Sequence, residues 1–223
     1  MGILAYKKQI GTINHVPWRV LAFGLLLALA LTFAGRPAHA AVTILAFGDS
    51  LTAGLGVAPG QAFPVRLEAA LRARGVDARV VNAGVSGDTT SAGLARLDWS
   101  LVDTLDLVII ELGANDALRG IAPAVTETNL DRILTQLTAR KLRVLLTGML
   151  APPNLGTEYG AAFNGIFPRL AQKHSVPLYP FFLDGVAAQA PLLQNDGMHP
   201  NPRGVEVIVA AILPYVLQAL ANP

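Results

Sequence analysis

The chain contains no cysteine, so neither a disulfide framework, a thiolate zinc site nor a cysteine nucleophile can be built from it. Charge is sparse as well. Asp, Glu, Lys and Arg make up 14% of the 223 residues against 52% apolar ones, a balance that excludes a disordered chain and calls for a large buried core. Acidic side chains are missing altogether from the first 40 positions, where Lys7, Lys8, Arg19 and Arg36 stand. The other 13 basic residues face 15 acidic ones over positions 41–223, a net charge of −2. The basic pI near 9.2 therefore belongs to the leading segment, and a nucleic-acid partner is not expected.

That leading segment has a definite order. After the basic positions, Val20 to Ala34 forms fifteen residues without a charge, followed by Arg36-Pro37-Ala38-His39-Ala40. Basic, then apolar, then a small-x-small triplet is the pattern of a secretory signal peptide, and cleavage is predicted after Ala40. The run is short for a permanent membrane span, which needs about 20 apolar residues; retention as an anchor is the alternative. The expectation is an exported protein, periplasmic or extracellular, whose 1–40 leader precedes one domain at 41–223. No repeat or low-complexity tract divides that domain, and a monomer is expected.

Within it, Ala41–Phe47, Arg79–Asn82, Leu105–Leu112, Arg143–Thr147 and Val176–Phe181 are short apolar runs rich in branched residues. They do not alternate, which predicts strands covered on both faces, as in a parallel sheet. Helical spacing lies between them. Phe63, Leu67, Ala70 and Leu71 share one face before Gly75, Leu130, Ile133, Leu134 and Leu137 share another, and further helices are predicted over Tyr159–Lys173 and Arg203–Leu220. Alternating strand and helix predict an α/β fold, a three-layer α/β/α sandwich with a parallel sheet of about five strands in flavodoxin-like order.

Ligands of such sheets bind beyond the carboxyl ends of the strands, and the segments following the strands are rich in chemistry. They read Gly48-Asp49-Ser50-Leu51, Asn82-Ala83-Gly84-Val85-Ser86-Gly87-Asp88, Gly113-Ala114-Asn115-Asp116 and, near the C-terminus, Asp196-Gly197-Met198-His199. Histidine is scarce: two of four, His15 and His39, lie in the leader, so only His174 and His199 could serve as a neutral-pH base. His174 sits in a polar helix end and reads as a solvated C-terminal cation. His199 follows Asp196 by three residues, close enough for the carboxylate to reach its ring Nδ1.

A serine hydroxyl becomes nucleophilic when a base takes its proton and a carboxylate orients that base. Ser50, His199 and Asp196 can fill those roles. The developing oxyanion needs preplaced donors, and the Ser50 N–H, the N–H of Gly87 or Gly84, and the Asn115 amide are candidates. Taken singly, Ser50 also reads as a helix N-cap, the glycines as turn formers and Asn115 as a loop hydrogen-bonder. Competing motifs fail. Gly54-Leu55-Gly56 with Gly60 is one residue too long for a dinucleotide fingerprint, there is no Gly-x-x-x-x-Gly-Lys loop, and Thr52 replaces the second glycine of a G-x-S-x-G elbow. The two histidines are too far apart in sequence for a His-x-x-x-His zinc site; no metal and no cofactor are expected.

The four blocks, in this order over residues 48–199, resemble those of the SGNH or GDSL hydrolases. The resemblance implies Ser50 as nucleophile, Asp196 and His199 completing the triad, and Ser50, Gly87 and Asn115 as oxyanion donors, thereby choosing Gly87 over Gly84. Glu111 to Gly120 and Pro177 to Phe182 are similar to the bacterial periplasmic thioesterase I, lysophospholipase and arylesterase branch. That branch implies small ester or thioester substrates, with Leu118, Ile121, Ala151 and Pro152 in substrate-contacting loops. A carbohydrate O-acetylesterase with the same triad and a non-catalytic exported binding module are the alternatives.

Overall fold

The structure is a computed structural model and describes residues 41–221; the expected leader lies outside the described residues. Five parallel strands, β1 (Val42–Gly48), β2 (Ala78–Gly84), β3 (Leu107–Glu111), β4 (Val144–Thr147) and β5 (Leu178–Tyr179), form one sheet in the order β2-β1-β3-β4-β5. This is the flavodoxin-like order. The connecting helices are α1 (Ser50–Ala53), α2 (Phe63–Ala73), α3 (Thr90–Ser100), α4 (Ala114–Leu118), α5 (Pro123–Ala139), α6 (Thr157–Asn164), α7 (Ile166–His174) and α8 (Pro202–Ala221). Helix α2 packs on α8, while α3, α5 and α7 lie side by side, which gives the two helical layers that right-handed crossovers require.

The core follows the apolar periodicity. All of Ile44, Leu45, Phe47, Leu107, Val108 and Ile110 are buried in the sheet, and Leu67 and Leu71 of α2 and Leu130, Ile133, Leu134 and Leu137 of α5 meet it. Each such side chain contributes about 1.5–3 kcal/mol of burial. Helix α8 is long and apolar enough to cross a membrane by length and composition, with mean hydropathy 1.9. It nonetheless buries Val205, Ile208, Val209, Ile212 and Val216 in this core.

Four expectations need correction. Strand β2 lies at the sheet edge and alternates at its start, Ala78 and Val80 buried but Arg79 exposed, so it is not covered on both faces. Strand β5 shrinks to two residues because Pro177 and Pro180 bracket it and neither can donate to a ladder. The helix expected over Tyr159–Lys173 is two helices, α6 and α7, because Pro168 lacks the N–H that Asn164 would accept and its ring crowds that carbonyl. His174 is not solvated at the helix end. Its side chain is only 10% exposed, and Nε2 lies 2.6 Å from Asp131 Oδ1.

Candidate active site

Strand β1 ends at Gly48, and the chain turns at once into the four-residue helix α1. Asp49, not Ser50, is its N-cap: Asp49 Oδ1 accepts the Leu51 N–H at 3.0 Å. Ser50 is thereby the first helical residue, at the mouth of α1. The Asp49 N–H donates to Glu111 Oε2, so the amides on both sides of Ser50 are taken and the Ser50 N–H stands between them. The turn also needs close backbone packing. A Cβ on Gly84 of β2 would lie 2.2 Å from the Ala53 nitrogen and 2.8 Å from the Asp49 carbonyl oxygen. Gly84 therefore has a packing reason to be glycine, whereas Gly87, at φ +86°, sits in a loop conformation that L side chains avoid.

Ser50 Oγ lies 2.9 Å from His199 Nε2, across 149 residues of chain. His199 Nδ1 lies 2.6 Å from Asp196 Oδ2, while Asp196 Oδ1 accepts the backbone N–H groups of Met198 and His199 at 2.9 and 3.0 Å. Those two backbone donors and the ring hold the Asp196 carboxyl down at about 2, so it is ionised at neutral pH and can only accept. The Nδ1 hydrogen must then point at Asp196, which leaves Nε2 of the neutral ring as the acceptor facing the serine hydroxyl. Serine, imidazole and carboxylate thus form one continuous hydrogen-bonded line.

The oxyanion candidates surround the same turn. Asn115, in the first turn of α4, donates through Nδ2 to Asp49 Oδ2 at 3.0 Å. The Gly87 carbonyl accepts Arg119 Nη2 at 2.7 Å, which ties the second loop to the third. Of the expected substrate contacts, Leu118 is exposed and Ile121, Ala151 and Pro152 are half-buried. Helix α6 steadies both of their loops: the Tyr159 hydroxyl donates to the Ile121 carbonyl at 2.7 Å and the Ala151 N–H donates to Asn164 Oδ1 at 2.8 Å. A cleft between α5 and α7, lined by Glu127, Asp131, Arg169 and Lys173, contains none of the candidate residues. Among the described residues no cluster of three His, Asp or Glu side chains could hold a metal ion.

Four buried or half-buried charged residues have a part that sequence reasoning missed. Asp116 is fully buried and accepts the Thr90 N–H at 2.8 Å, the Thr90 hydroxyl at 2.5 Å and the Thr126 hydroxyl at 3.1 Å, fastening α4 to the start of α3 and to α5. Arg96 pairs with Asp88 at 2.5 Å, donates to the Gly48 carbonyl at 2.9 Å and lies 4.1 Å above the Phe47 ring, clamping the second loop to the end of β1. Asp49 and Glu111 are fully buried side by side beneath Ser50. Glu111 did leave a signal, a lone acid closing the apolar run Leu107-Val108-Ile109-Ile110.

The chain is similar to known proteins over most of the described residues. A model of the GDSL-like lipase/acylhydrolase family matches residues 46–207. The chain is 41% identical over 182 residues to Esterase TesA of Pseudomonas aeruginosa, covering 79% of this chain and 90% of that protein. It is 40% identical over 186 residues to the thioesterase 1/protease 1/lysophospholipase L1 of Escherichia coli K12, covering 83% and 88%. Among solved structures, the SGNH-hydrolase family esterase AlinE4 is 50% identical, with a TM-score of 0.69 over 82% of this chain and 99% of that one. A hydrogen-bonded serine, histidine and aspartate at the carboxyl edge of this sheet, with a family match spanning all four loops, makes the chain a member of the GDSL-like lipase/acylhydrolase family.

Proposed function

We infer that the protein is a serine esterase that hydrolyses small carboxylic esters or thioesters through an acyl-enzyme on Ser50. The observation that carries this reading is the unbroken line from Ser50 Oγ to His199 Nε2 at 2.9 Å and from His199 Nδ1 to Asp196 at 2.6 Å. As Oγ attacks the acyl carbon, its proton passes to Nε2, and the imidazolium so formed is stabilised by the ionised Asp196. The oxyanion meets the Ser50 and Gly87 N–H groups and the second Nδ2 hydrogen of Asn115. Collapse of the tetrahedral intermediate breaks the bond to the alcohol or thiol, which leaves with the proton from His199. Water then attacks the acyl-enzyme, giving its proton to Nε2, and the second collapse breaks the bond to Oγ, which takes that proton back from His199 as the acid is freed.

The names of the relatives, an esterase, an arylesterase and a thioesterase/lysophospholipase, support ester and thioester substrates, lysophospholipids and aryl esters included. The apolar lining at Leu118, Ile121, Ala151 and Pro152 suits an acyl chain or aryl leaving group better than a sugar. The basic, apolar, small-residue order of positions 1–40 supports export of the enzyme and removal of that leader, which N-terminal sequencing of the secreted protein checks. Ser50→Ala should lower p-nitrophenyl ester turnover about a million-fold, and a fluorophosphonate should form a single adduct on Ser50. Residual turnover above a few per cent in Ser50→Ala, or an unlabelled wild type, sinks the reading.

A further inference from the structure

Beneath the nucleophile turn two acids lie where neither reaches water. Asp49 and Glu111 are each 0% exposed. Glu111 Oε2 accepts the Asp49 N–H at 3.2 Å and the Thr52 hydroxyl at 2.8 Å, while its Oε1 is buried without a partner. The approach is built into the strand. A Cβ on Gly48 would stand 2.5 Å from Glu111 Oε2 and 2.2 Å from Thr52 Oγ1, so only glycine lets the acid slide under the turn.

The charges facing the pair are few. Arg96 on α3 is committed to Asp88 and to the Gly48 carbonyl; Asp116 on α4 is occupied by Thr90 and Thr126. His199 faces Asp49 from the C-terminal loop and favours its ionised form. Two adjacent carboxylates, both fully buried, cannot both be ionised at acceptable cost. The donors decide which one is. Both oxygens of Asp49 accept hydrogen bonds, Oδ1 from Leu51 and Oδ2 from Asn115, whereas one oxygen of Glu111 has nothing.

We propose that Glu111 and Asp49 are a one-proton carboxylic pair in which Glu111 holds the proton and Asp49 the charge, and that Asp49 is the positioning residue for the Asn115 oxyanion donor. The proposal rests on the esterase reading above. A carboxylate can only accept, so Asp49 forces the N–H end of the Asn115 amide toward itself and leaves the second hydrogen for the oxyanion. A protonated Asp49 could donate to the amide oxygen instead and release that orientation. Burial, with the Asp49 charge next to it, pushes Glu111 well above the ordinary carboxylate range, and burial raises Asp49 to about 6. Asp49, raised only to about 6, is therefore the member of the pair that carries charge at neutral pH.

Steady-state kinetics on the mature enzyme, with thermal unfolding of each variant, test this. Asp49→Asn can accept only one of the two hydrogen bonds, so kcat should fall about a hundredfold, the size of a lost oxyanion donor, with KM unchanged because the contact is made only in the transition state. Asn115→Ala should fall by a similar factor, and the double variant no further. Glu111→Gln is the isostere of the protonated acid. It should recover the activity lost in Glu111→Leu and leave the acidic limb of kcat/KM in place. An active Asp49→Asn, a double variant whose losses multiply, or a Glu111→Gln limb displaced by about one pH unit or more overturns the pair. Should Asp49→Asn or Glu111→Leu not fold, the Glu111→Gln limb decides alone. A wild type without turnover or a fluorophosphonate adduct instead overturns the esterase reading beneath it.

Discussion

Ser50 and Asp49 are neighbours in sequence with opposite demands. Ser50 must be reached by substrate and is held at the mouth of α1, whereas Asp49 is buried and its carboxyl is raised to about 6 by desolvation. A group whose folded value exceeds its unfolded one binds more protons in the folded state, so its contribution to stability falls as pH rises from about 4 to about 6. For a shift from 3.8 to about 6 the penalty at neutral pH is on the order of 3 kcal/mol. Asp49→Asn removes it. The unfolding temperature of the variant relative to wild type should therefore climb between pH 4 and pH 7, while kcat falls. A pH-independent difference would show that Asp49 does not carry that strain.

At the scale of elements, the nucleophile is placed by contacts between backbones. Helix α1 can lie on β2 only because residue 84 has no side chain; an added Cβ would meet Ala53 and Asp49 backbone atoms, which cannot swing aside. Gly84→Ala should destabilise the fold by about 1–3 kcal/mol and slow fluorophosphonate labelling of Ser50 along with turnover. Denaturant midpoints and labelling rates check both, and an unchanged pair of values would mean that α1 and β2 can separate freely. Helix α3 is anchored similarly, its first N–H caught by Asp116 and its Arg96 clamped to the end of β1. Those ties hold the Gly87 loop, which precedes α3, against the other loops.

Across the whole molecule, surface charge binds helices that burial has already brought together. Glu127 pairs with Arg169, and Asp131 with both Lys173 and His174, fastening α5 to α7. Hydrogen bonds from Lys173 and His174 lower the Asp131 carboxyl. A depressed carboxylate contributes stability that is present above its unfolded value near 3.8 and is lost as pH falls through the folded one. Asp131→Asn should thus cost about 0.5–1 kcal/mol at neutral pH, less in high salt, and nothing once both proteins are in strong acid. Equal loss at every pH would assign the effect to packing. This acid-labile term opposes the one at Asp49, so the two variants should bend the stability profile in opposite senses.

Much of this was legible in the chain. Apolar runs and helical faces located every strand, the α2 and α5 faces and the extent of α8, because burial on one or two sides leaves a period in the residues. Asp196 and His199 could be paired from their spacing, since three residues of turn suffice to bring a carboxylate to a ring. The break at Gly165 leaves no mark in the apolar spacing, although Pro168 announces it. The resemblance of four short blocks joined Ser50 to His199 across the domain, a contact that spacing alone could not supply. Left to the tertiary structure were the burial of His174 against Asp131, the clamp of Arg96 on Gly48, and the state of two acids 62 residues apart, Asp49 and Glu111. Residue type and local spacing determine which groups can do chemistry. Whether an acid there is charged depends on the water removed and the donors supplied around it, and distant segments provide both only once the sheet has assembled.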